Sequence, residues 1–176
     1  MTYVFSTPSL GMPPIASTNL AGTSMNAAGR FPGSLLGQIV RATDPTYGEG
    51  EFICLLGAAN TVVGLMVTYN ATTYQTVISA DTANEAGPVA VAMSANLAGY
   101  YGWYQIGGLA VVKKTNVSWE PQKKAYQSGT IGRVMDTSAS GKAILGAKSA
   151  NLTTVTTTTS TVVLSLNRPH KQGPVT

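Results

Sequence analysis

The side chains able to do chemistry are few and scattered. His170 is the single histidine and Cys54 the single cysteine among 176 residues. A nucleophile, its base and an orienting group must lie within hydrogen-bond reach of one another. His170 instead stands in a stretch containing Pro169, Gly173 and Pro174, where nothing in the sequence holds it in register. No His-x-His or Glu-x-x-His spacing occurs, so zinc or iron sites of the usual kind lack ligands. One cysteine excludes an internal disulfide or a redox pair, and Cys54 reads as a small buried hydrophobe. Glu49 and Glu51 share one face of an expected strand and could pair their carboxylates. Their place around Gly50 at a strand entry favours a structural role. No phosphate-loop signature is present, and Gly107-Gly108 falls between expected strands instead of opening a helix. An enzyme is therefore the least supported class, and no metal or cofactor is expected.

Lys113, Lys114, Lys123 and Lys124 with Tyr101, Trp119 and Tyr126 raise a second possibility, a basic and aromatic nucleic-acid face. The alternation needed to bring these side chains to one surface is missing, and Glu120-Pro121 interrupts them, so a nucleic-acid partner is disfavoured. The charges are unevenly distributed along the chain. Residues 1–88 carry a net −3 and residues 89–176 a net +7, which suggests a fold with one acidic and one basic end. Charged residues make up only 10% of the chain against 44% hydrophobic ones. Ordinary soluble domains carry roughly 25% charged residues. A surface built from Ser, Thr, Asn and Gly, or covered by other subunits, is the consequence.

The elements that must position these residues are short. Residues 1–34 hold Pro8, Pro13, Pro14 and Pro32 with Gly11, Gly22, Gly29 and Gly33, which interrupt every apolar group, so neither helix nor central strand should persist. This segment reads as an extended N-terminal arm that keeps Tyr3, Phe5, Ile15 and Phe31 to lie on a protein surface, its own or a neighbour's. Strand signals follow at 35–41, 51–56, 62–69, 76–80, 89–93, 101–106, 109–113, 130–135, 143–147 and 161–167. About ten short strands with turn punctuation imply an all-β fold, an antiparallel β-barrel or β-sandwich over residues 35–167. Residues 93–98 are a weak helix candidate, and 168–176 should leave the sheet as a C-terminal tail. In 101–106, Tyr101 and Trp103 share one face while Tyr104 and Ile106 share the other, which makes this strand central or a subunit contact. The Thr-rich 153–161 tract suits either an exposed linker or an interface strand. The N-terminus lacks a signal-peptide pattern, and no apolar run reaches the roughly 18–20 residues of a membrane span. The sequons at Asn70, Asn116 and Asn151 therefore read as chance matches.

Several motifs are familiar as a set. Tyr47-Gly48-Glu49-Gly50-Glu51-Phe52-Ile53, Gly87-Pro88-Val89-Ala90-Val91-Ala92 and Gly99-Tyr100-Tyr101-Gly102-Trp103-Tyr104-Gln105-Ile106-Gly107-Gly108 are three of them. With Ser128-Gly129-Thr130-Ile131-Gly132-Arg133-Val134 and Leu166-Asn167-Arg168-Pro169, this texture over residues 35–170 resembles the capsid decoration, or cement, proteins of tailed-bacteriophage heads. The resemblance implies an all-β auxiliary subunit, a homotrimer, mounted on the outer surface of the major capsid protein lattice of a virion assembled in the bacterial cytoplasm. It brings no catalytic residues. The expected interface combines the arm aromatics Tyr3, Phe5 and Phe31, the strand aromatics Tyr101, Trp103 and Tyr104, and the cations Lys113, Lys114 and Arg168. A phage tail or fibre component and a nucleic-acid-binding β-barrel are the competing readings.

Overall fold

A computed structural model describes residues 1–7, 12–22, 30–32, 35–115 and 117–175, with backbone alone at 18–22 and 30–32. The expected arm thus lies partly outside the described residues. Among those described there is no α-helix, and thirteen strands join one hydrogen-bonded sheet. All strand pairs are antiparallel except β2 (Thr18–Gly22) with β3 (Arg30–Pro32). The ends of the path, β1 (Val4–Phe5) and β11 (Val134–Met135), do not pair with each other, so the sheet is not a closed barrel. The all-β class read from the sequence holds.

The spine is β9 (Tyr100–Lys113), 14 residues rich in the aromatic and β-branched types that fit a pleated surface. The sequence suggested two strands here, separated by Gly107-Gly108. The chain instead runs straight through and changes partner at the glycines. Tyr101 to Gly107 pair with β5 (Gly48–Leu56), and Gly107 to Lys113 pair with β13 (Thr161–Gln172). Gly108 has φ of +84°, and a Cβ there would lie 2.3 Å from the Glu49 carbonyl oxygen. Only glycine meets both conditions.

Because β9 has neighbours on both sides and both faces covered, three cores surround it. Phe52, Cys54 and Trp103 fill one with residues of the N-terminal segment and Ala42 of β4 (Ile39–Asp44). On the opposite face of β5 and β9, Ile53, Leu55, Tyr104 and Ile106 pack with Val67 of β6 (Met66–Tyr69) and Ala90 and Ala92 of β8 (Ala86–Ala92). Beyond the glycine pivot, Ala110 and Val112 meet Val162, Leu164 and Leu166 of β13, Ile144 and Ala147 of β12 (Ala143–Ser149), and Trp119.

The expected C-terminal tail is corrected: β13 extends to Gln172, and His170 to Gln172 pair with Pro88, Gly87 and Ala86. The proline is accommodated by an irregularity. Leu166 faces Ala147 and His170 faces Leu145, so residues 167–169 bulge opposite Gly146 alone. There Pro169 need not donate to the ladder. The strand β10 (Lys124–Gln127) was not foreseen, because its Lys-Ala-Tyr-Gln sequence carries little strand signal. The edge strand β7 (Thr76–Ile78) falls inside an expected one. Residues 93–98 form bends and a turn with no helix, and the Thr-rich 153–160 stretch is mostly exposed loop with one bridge, Val155 to Trp119.

Candidate interaction surface

Four of the residues assigned to an interface from sequence meet each other inside this chain. Tyr3 and Phe5 lie on the β4–β5–β9 face, with the Tyr3 ring edge-on to Phe52 at 4.7 Å and the Phe5 ring edge-on to Trp103 at 5.8 Å. Tyr101 packs partly buried against the same cluster. Short ladders and side-chain bonds hold the segment down. Val4 and Phe5 pair with Thr43 and Ala42, and Thr18 to Leu20 pair with Gly102 to Tyr100. The Tyr3 hydroxyl donates to the Leu109 carbonyl at 2.9 Å, and the Trp103 indole N–H donates to the Pro13 carbonyl at 3.1 Å. Asp44 accepts from the amides of Thr2, Thr46 and Tyr47. Burial alone would raise its pKa, but these three hydrogen bonds outweigh it and hold the carboxyl below its ordinary value. Burial raises the Tyr3 phenol.

Trp103 and Tyr104 are 0% exposed, and they sit in different cores on opposite faces of β9. In the folded chain neither can touch a partner, so both are core residues. This corrects the sequence assignment: a strand with aromatics on both faces is central, as its composition also allowed. Lys114 needs the same correction, being 0% exposed with its ammonium donating to the carbonyls of Val117 at 2.7 Å and Thr115 at 3.2 Å. Its burial lowers its pKa, with Asp136 opposing. Lys113, one residue earlier, is half-buried on the other face. The side chain of Phe31 lies outside the described residues, and the β3 backbone around it pairs with β2.

Arg168 is exposed, and its guanidinium lies 3.3 Å from Glu51. Arg41 bridges Glu51 at 3.2 Å and Glu49 at 3.5 Å, so the two carboxylates considered for acid–base work are both matched with a cation. Cys54 is buried, and desolvation pushes its thiol up to about 12. His170 sits exposed on a ladder between Pro88 and Leu145. Among the described residues, no three His, Cys, Asp or Glu side chains cluster to hold a metal.

The separation of charge along the chain is not carried into space. β13 returns beside β8 and β9, and cations of the second half meet carboxylates of the first. Arg168 meets Glu51, Lys142 meets Asp81 at 2.7 Å, and Lys171, itself 3% exposed, meets Glu85. Lys123 pairs locally with Glu120 at 3.0 Å. Of the described lysine and arginine side chains outside these ion pairs, Lys114 is buried, Lys113 and Arg133 are half-buried, and Lys124 of β10 and Lys148 of β12 are exposed. Sequence reasoning missed this pair because it exists only through the strand register.

Large apolar side chains also reach the surface in neighbouring loops. Val62, Val63 and Leu97 are 42%, 46% and 50% exposed. Their loops are adjacent, since the Gly57 amide donates to the Tyr100 carbonyl at 2.7 Å and Gly57 abuts the Leu97 carbonyl. No helix among the described residues is long and apolar enough to cross a membrane. Compared with models of protein families, with curated proteins and with solved structures, the chain matches none.

Proposed function

We propose that this chain is a structural subunit mounted on other proteins, namely a capsid decoration protein that binds the outer surface of a major capsid protein lattice as a homotrimer and stabilises the head. The observation that carries this reading is the exposure of Val62, Val63 and Leu97 in neighbouring loops of a chain with only 10% charged residues. Apolar side chains exposed on so weakly charged a surface are suited to burial against a partner. The motifs of residues 35–170 that resemble decoration proteins point the same way. Glu49 and Glu51 are held in an arginine network and Cys54 in a core.

Cryo-electron microscopy of virions assembled with and without this chain is the test. Density over threefold or quasi-threefold positions outside the shell, lost when the chain is omitted, is the expected result. Density at the tail would replace this reading with the tail or fibre one, and absence from the particle would overturn both.

A further inference from the structure

The exposed lysine pair has features that a purely structural strand pair would lack. Lys124 of β10 and Lys148 of β12 are direct cross-strand partners. Like charges placed opposite each other destabilise a sheet. Here none of the ion pairs among the described residues involves either ammonium group. The ladder is also open beside them. Lys124 pairs with Lys148, but Ala125 already pairs with Ile144, so residues 145–147 have no partner on β10. Gly146 makes the offset possible, with φ of +76° and a missing Cβ that would lie 2.5 Å from the Asn167 carbonyl oxygen. A groove of about 340 Å³ results, lined by both lysines, Leu145, Ser165 and Asn167 and by no carboxylate. Leu145 is 40% exposed on its floor.

We infer that this groove binds an acidic, extended segment of a partner protein, with carboxylates between the two ammonium groups and an apolar side chain on Leu145. The charge complementarity is one-sided, since the free chain holds two cations together with no counter-charge. Binding supplies that charge and relieves the repulsion. The lining contains no aromatic side chain on which a base could stack and only two cations, whereas single-stranded nucleic-acid sites combine a charged track with stacking platforms. The inference stands without the capsid reading, because it concerns the chemistry of the bound segment and not the particle that supplies it.

Fluorescence anisotropy of the full chain with labelled hexaglutamate tests it, alongside thermal unfolding. Binding should weaken by about tenfold or more in the double variant Lys124→Ala, Lys148→Ala, and by less than about twofold in Lys113→Ala. Lys148→Glu should abolish binding yet raise Tm by about 1–3 °C, because a cross-strand ion pair replaces a repulsive one. Equal binding by the double variant, failure of the unaltered chain to bind hexaglutamate, or displacement of the peptide by a single-stranded oligonucleotide at lower concentration would each overturn the inference. So would a lower Tm for Lys148→Glu, which would make Lys148 a structural residue.

Discussion

The two ends of the chain cover the sheet by different means. The N-terminal segment lies over Phe52, Cys54 and Trp103 with ladders of two or three residue pairs. Its hold is mostly made by side chains: two edge-on aromatic contacts, the Tyr3 hydroxyl and the Trp103 indole. The C-terminal β13 has 12 residues and pairs in turn with β8, β9 and β12 over a core of aliphatic side chains and Trp119. Proline and glycine deny the first segment a regular ladder, so specific anchors replace it. β-branched residues let the second use the backbone over its own core.

The largest effect expected separates these two modes of attachment. Trp103→Ala should cost about 3–5 kcal/mol in urea unfolding and expose the N-terminal segment to limited proteolysis. Trp119→Ala, in the core beneath β13, should cost a similar amount while leaving that segment protected. If both variants open the N-terminus equally, the two regions are one cooperative unit. The glycine pivot joins them, and Gly108→Ala should cost about 1–3 kcal/mol from its left-handed φ and the approach of the Glu49 carbonyl. Gly48→Ala, with φ of +71° and open space around it, isolates the conformational part alone and should cost less.

Alkaline pH should act on the N-terminal core. The Cys54 thiol stays protonated in the fold up to about 12 but ionises in the unfolded chain from about 9, so the native state binds more protons in that window and stability falls as pH rises. The loss from pH 9 to 10 is about 1 kcal/mol for one such group, because the unfolded thiol is only half ionised at the start of that window. Cys54→Ala should flatten the slope, and an unchanged slope would move the effect to other groups. The raised Tyr3 phenol acts in the same sense. Smallest is Tyr3→Phe, which removes the bond to the Leu109 carbonyl and should cost about 1 kcal/mol by chemical denaturation. No change would mean that the rings alone anchor the segment.

Much of the β architecture was legible because period-2 patterns and turn residues are local signals. Each of the ten expected strands overlaps an observed one, although 109–113 proved continuous with 101–106. β10 escaped notice because its pairing with β11 and β12, and not its composition, makes it a strand. The end of β13 escaped because Pro169 ordinarily stops a strand, whereas here a bulge opposite Gly146 absorbs it. The interface assignment separated less cleanly. Aromatic content marked Tyr3, Phe5, Tyr101 and Trp103 as contact residues, but only folding shows that they contact one another.

By itself the sequence determined the all-β class, the sparse charge and the absence of a histidine, cysteine or carboxylate motif spaced for chemistry. These follow from composition and near-neighbour spacing. Only the tertiary structure decided where the charges go. Return of β13 across β8 and β9 neutralises Glu51 and Glu85 with Arg168 and Lys171, and Lys142 just before β12 neutralises Asp81, while the β10–β12 register leaves Lys124 and Lys148 facing each other. Coulomb interaction depends on distance in space, and distance along the chain fixes it only for neighbours.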